Sequence, residues 1–141
     1  MKRSGFTVIE MVAALVILGI IAIVIINKNP LDPNLIVESE ILKSHLRYIQ
    51  FKALSDDSCD NCYGLTISSN SYAAKPTTLI LPGDQSSTHD LSKNNISITG
   101  TNITFDRWGS ASATKTISFT LSDNKGNSQT ITISSMAGLI E

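Results

Sequence analysis

The sequence predicts an α+β chain. A long N-terminal helix has a membrane-spanning first half, and its second half packs on a small antiparallel β-sheet head. Three observations predict this. Residues 6–26 form an apolar run broken by one charge, Glu10. Leu35, Leu42, Leu46, Ile49 and Ala53 then recur at helical spacing, a one-sided stripe. From Tyr63 onward, short alternating runs separated by Gly, Asn and Asp read as strands and turns.

Length and composition bound the rest. With 141 residues, one domain plus an appended segment is the natural arrangement. Hydrophobic residues make up 42% of the chain, but the first quarter takes a large share, so the core of the remainder is small. The net charge is -1, and from Leu35 onward eight basic residues face ten acidic ones. That balance argues against a nucleic-acid binder, and the C-terminal half has no Lys/Arg patch.

The N-terminal element comes first. Lys2 and Arg3 directly precede the apolar run, which places the N-terminus in the cytoplasm and the rest outside it. As a helix, the twenty-one residues of 6–26 are about 30 Å long, one hydrocarbon thickness. A plain signal anchor would suffice for that. A cleaved secretory signal fits less well, because the run ends Ile25-Ile26-Asn27-Lys28 without a small-residue cleavage pattern. Glu10 needs its own reason, since a carboxylate within a membrane-length helix is costly.

The stretch Gly5-Phe6-Thr7-Val8-Ile9-Glu10, behind a short basic leader and ahead of a long apolar run, resembles the signal of type IV pilins and type II secretion pseudopilins. The resemblance implies cleavage between Gly5 and Phe6 by a prepilin peptidase and N-methylation of the new Phe6 terminus. It implies a pilin-like fold and entry of the helix into a filament core with other pilin or pseudopilin subunits. In a bundle of parallel helices, Glu10 of one subunit can approach the Phe6 ammonium of its neighbour, and a buried charge that finds a partner becomes tolerable. Glu10 is therefore expected to be an assembly residue.

The elements that follow take their turn. Asn27 to Asn34 holds Pro30 and Pro33 among Asn and Asp, which reads as a break. The stripe predicts a helix over about 35–54, with Glu38, Glu40, Lys43, Arg47 and Lys52 mostly off it, and His45 as a solvated helical histidine. Cys59-Asp60-Asn61-Cys62 follows. A redox centre of the thioredoxin type wants a βαβ context, and zinc wants two more ligands, and neither is evident. The remaining reading is a disulfide clamping the helix-to-strand turn. The nearby aspartates lack an Asp-x-Asp-x-Asp-Gly loop for Ca2+ and read as solvated acids.

Strands are expected at Tyr63–Ile67 and, less cleanly, Thr78–Leu81, with a polar loop from Pro82 to Lys93. Ile96, Ile98, Ile103 and Phe105 around Thr99-Gly100-Thr101-Asn102 read as a hairpin. A second hairpin runs through Ile117, Phe119 and Leu121, turns at Asp123–Asn127, and returns through Ile131 and Ile133. Asp106, Arg107 and Trp108 read as a loop anchor. Residues 104–109, 116–121 and 129–140 resemble H-type minor pseudopilins and FimT-like minor pilins, although the C-x-x-C is not part of that pattern.

No Gly-x-Ser-x-Gly, Walker loop or dinucleotide fingerprint is present. No spacing ties His45 or His89 to a nucleophile, and no catalytic residue, metal or cofactor is expected. The expected organisation is a leader at 1–5, a transmembrane and filament-core helix at 6–27, a Pro-containing break at 28–34 and an extracytoplasmic head at 35–141. The expected function is a structural subunit, minor and tip-proximal, of a type IV pilus or type II secretion pseudopilus. The alternatives are a permanently membrane-anchored binding module and a major pilin.

Overall fold

The computed structural model describes residues 7–26, 32–111, 115–135 and 138–141, with side chains of the first helix described through Ile21. The chain divides into two compact units, Met1–Pro30 and Leu31–Glu141. Gly5, Phe6 and most of the expected break lie outside the described residues.

Helix α1 spans Val8–Ile26, 19 residues. Thr7 caps it, its carbonyl accepting from the amides of Glu10 (3.1 Å) and Met11 (3.2 Å). Glu10 reaches back toward the Thr7 amide at 3.5 Å, one half of a capping box. The acid therefore sits at the positive end of the helix dipole. The rest of the described surface of α1 is apolar on every side, with Val8, Met11, Leu15, Leu18 and Ile21 all exposed. Over the described residues no helix is long and apolar enough to cross a membrane.

Helix α2 spans Pro33–Ser55 and starts two residues before the apolar stripe. Pro33 does not break it, because at the first helical position the missing N–H would have had no partner. Asp32 is the N-cap and accepts from the Asn34 amide at 3.0 Å. The expected stripe is fully buried, from Leu35 through Leu42, Leu46 and Ile49 to Ala53. Each buried leucine contributes roughly 1.5–3 kcal/mol.

Two antiparallel sheets complete the head, where a single sheet was expected. One has the order β3-β2-β1-β5, from β1 (Tyr63–Ser68), β2 (Ser71–Lys75), β3 (Thr88–Asp90) and β5 (Ile103–Phe105). The other has the order β4-β6-β7, from β4 (Ile96–Thr99), β6 (Ile117–Asp123) and β7 (Ser128–Ile133). Helix α2 lies against β1 and β5 of the first and β6 and β7 of the second. Phe105, Phe119, Leu121 and Ile133 close the core between them, each 0% exposed.

The expected final hairpin forms, with Phe119 opposite Ile131 and Ile117 opposite Ile133. The expected Ile96–Phe105 hairpin does not. β4 pairs with β6 and β5 pairs with β1, so the three residues between them, Gly100 to Asn102, carry the chain from one sheet to the other. Gly100 makes that crossing against the Phe119 ring, where an added Cβ would sit 2.5 Å from Cδ1. Both strands bury the alternation that a hairpin would, but against different neighbours. Thr78–Leu81 is not a strand either. It lies between Pro76 and Pro82, and the Leu79 amide closes a turn onto Pro76. The strand lies earlier, at Ser71–Lys75, and the polar loop after Pro82 contains β3 and a 3-10 turn at Ser92–Asn94.

Candidate functional site

The head buries a polar cluster that the sequence reading did not assemble. His45 is 2% exposed, so it is not the solvated helical histidine expected, and Glu38, read as lying off the stripe, is buried at 5% exposure. At about 100° per residue, both lie roughly 60–80° to one side of the stripe's centre, still within a wide buried face. Their separation of seven residues, which places them on one side of the helix, was the available signal.

Sheet register supplies the next two groups. Tyr72 of β2 pairs with His89 of β3, and cross-strand neighbours share a face. Their rings stack at 5.0 Å between centroids, 29° from parallel. The loop after Leu81 supplies the rest. Gly83, at φ +88°, allows the tight turn in which the Asp84 amide donates to the Leu81 carbonyl at 3.1 Å. That turn brings the Pro82 carbonyl and the Asp84 carboxylate over the two histidines.

The hydrogen bonds are short and complete. His45 Nε2 lies 2.8 Å from the Pro82 carbonyl oxygen and its Nδ1 lies 2.9 Å from the Tyr72 hydroxyl. A carbonyl only accepts, so Nε2 carries the proton and Tyr72 donates to Nδ1. His89 Nδ1 lies 2.8 Å from Asp84 Oδ2, and its Nε2 lies 2.8 Å from Glu38 Oε2. The Asn94 amide donates to the other Glu38 oxygen at 2.6 Å. Glu38, Asp84, Ser86, Thr88, His89 and Asn94 line a polar cleft of about 540 Å³.

The two imidazoles shift in opposite directions. Burial holds His45 below its ordinary value, reinforced by the nearby His89 charge. Burial also pulls on His89, but its hydrogen bonds to Glu38 and Asp84 outweigh that and raise it. Burial raises the Tyr72 hydroxyl, which stays protonated. The two carboxylates that clamp His89 thus favour its protonated form, while burial favours the neutral form of His45 beside it.

The other residues singled out from sequence are held apart from this cluster. Cys59 and Cys62 form a disulfide. Asp56 and Tyr63 close the same loop through a 2.8 Å hydrogen bond from the phenol. Hydrogen bonds from Ser58, then Tyr63, lower the Asp56 carboxyl, and the same contact raises Tyr63. Asp60 accepts from the Arg107 amide at 3.2 Å, tying the disulfide loop to the next one. Asp106 anchors that loop by accepting from the amides of Trp108 and Ser110 at 2.9 and 2.8 Å, which leaves Trp108 exposed.

A family model described as the prokaryotic N-terminal methylation motif matches residues 1–26. The motif supports a type IV pilin-like, prepilin-processed subunit, and that motif family is structural rather than enzymatic. It implies processing by a prepilin peptidase and assembly with other pilin subunits. No curated protein and no solved structure matches the chain.

Proposed function

We propose that the chain is a minor, tip-proximal subunit of a type IV pilus or type II secretion pseudopilus. A peptidase of the inner membrane cuts after Gly5, and Phe6 is N-methylated. The helix rests in the inner membrane before assembly, with the head outside the cytoplasm, and then packs among the helices of other subunits. The observation that carries this reading is the methylation motif over residues 1–26.

The chemistry of α1 supports it. A helix apolar on all sides is stable in lipid or in the core of an assembly, and exposed apolar surface of this extent marks an interaction site. Glu10 is the only charge on it. Among the described residues its carboxylate lies 3.5 Å from the Thr7 amide, a long contact that a cationic partner can replace. The methylated Phe6 ammonium of a neighbouring subunit is that partner.

Glu10→Ala tests the proposal. The variant is expected to insert and to be cleaved as the wild type is, and to be depleted from the sheared filament fraction. Normal incorporation of the cleaved variant would contradict the role given to Glu10.

A further inference from the structure

We propose that His45, Asp84 and His89 form a binding site for one divalent cation of the zinc class. Three ligand atoms, one from each residue, all lie within 4.8 Å of one another. His89 Nδ1 is 2.8 Å and His45 Nε2 is 4.0 Å from Asp84 Oδ2. Ligands about 2.0–2.1 Å from a tetrahedral zinc ion stand roughly 3.3 Å apart, between these values. Drawing the three atoms, now up to 4.8 Å apart, to that spacing converts the cluster into a coordination shell.

The outer shell is already built. Histidine ligands use their second nitrogen to bond a carboxylate or another polar group, which fixes the ring and its tautomer. His89 Nε2 has Glu38, which Asn94 holds in turn. His45 Nδ1 has the Tyr72 hydroxyl. A hydroxyl can accept as well as donate, so His45 can move its proton to Nδ1 and offer Nε2 to an ion.

Charge points the same way. Glu38 and Asp84 carry two negative charges, and only His89 answers them within the cluster. Lys93 and Asp90, also along the cleft, offset each other. A divalent ion replacing the proton between His89 and Asp84 leaves the group neutral, which a largely buried site favours. Two imidazoles and one carboxylate suit zinc and its borderline neighbours, whereas Ca2+ and Mg2+ want six or more oxygens. The polar cleft gives the ion a route from solvent.

The test uses the full chain in detergent, made without a polyhistidine tag and stripped with a chelator. Calorimetric titration with Zn2+ is expected to show one ion per chain, and Co2+ to give a tetrahedral visible spectrum. His89→Gln and Asp84→Asn are expected to abolish both signals. Glu38→Gln, which acts through His89, is expected to weaken Zn2+ about 10–100-fold. Should His89→Gln fail to fold by circular dichroism, Asp84→Asn carries the comparison, since Asp84 lies in a loop with its side chain 23% exposed. The proposal is overturned if the stripped chain takes up no Zn2+, if folded Asp84→Asn binds it as tightly as the wild type, or if equimolar Ca2+ displaces it.

Discussion

His89 Nε2 and Glu38 Oε2 meet at 2.8 Å across 51 residues of chain, joining β3 to helix α2 inside the head. The contact belongs to a buried polar network whose two histidines are shifted in opposite directions, and this gives the head a characteristic response to pH.

In chelator-treated protein, stability is predicted to peak near the ordinary imidazole value of 6.5. His45 is lowered in the fold, chiefly by burial among Tyr72, Pro82 and His89. Its contribution is present above the unfolded value and is lost as pH falls through the folded one. His89 is raised, because its bonds to Glu38 and Asp84 overcome its burial. Its contribution is full below the unfolded value and is lost as pH rises through the folded one. Melting temperature against pH checks this. His89→Gln should flatten the alkaline limb and keep the acid one, and a wild-type curve with no maximum near neutrality would contradict the account.

Gln50 and Gly138 should prove energetically coupled. The Gln50 amide donates to the carbonyls of Gly109 (2.8 Å) and Gly138 (3.0 Å), stapling the C-terminal tail to the Asp106–Ser110 loop and to α2. Gly138 has φ +58°, and a Cβ there would strike the Gly109 oxygen and the Gln50 amide nitrogen. Gly138→Ala is expected to cost about 2–3 kcal/mol, from left-handed strain and the displaced amide. Gln50→Ala is expected to cost about 1–3 kcal/mol. Because both changes break the same bonds, the double variant should lose less than their sum by at least about 0.5 kcal/mol. Strict additivity in denaturant titrations would refute the coupling.

The Cys59–Cys62 disulfide is predicted to matter locally. So short a ring removes little unfolded-state entropy, so the double Cys→Ser variant should lose no more than about 2 kcal/mol. The Asp56–Tyr63 and Asp60–Arg107 contacts hold the same loop independently. A variant that no longer folds would show that the bond carries more of the head than its position suggests.

The sequence made some of this legible and hid the rest for physical reasons. The stripe from Leu35 to Ala53 and the alternation around Phe119 and Ile131 are local patterns, and both elements form where those patterns lie. The partner of a strand is not local. Ile96–Thr99 and Ile103–Phe105 have the same alternation whether they pair with each other or, as here, with β6 and β1. The polar cluster was hidden for the same reason. Glu38, Tyr72, Asp84 and His89 come from four separate segments, and only the β2–β3 register and the turn at Gly83 bring them together. Pro33 shows a subtler limit, since the same residue that ends a helix from within starts one at its first position.

The most direct measurement of the central claim is the mass of the chain's N-terminus, taken from protein extracted from its native membrane. The account predicts a chain that begins at Phe6 and carries one N-methyl group. A chain that still begins at Met1 would contradict it and would make the apolar helix a permanent anchor.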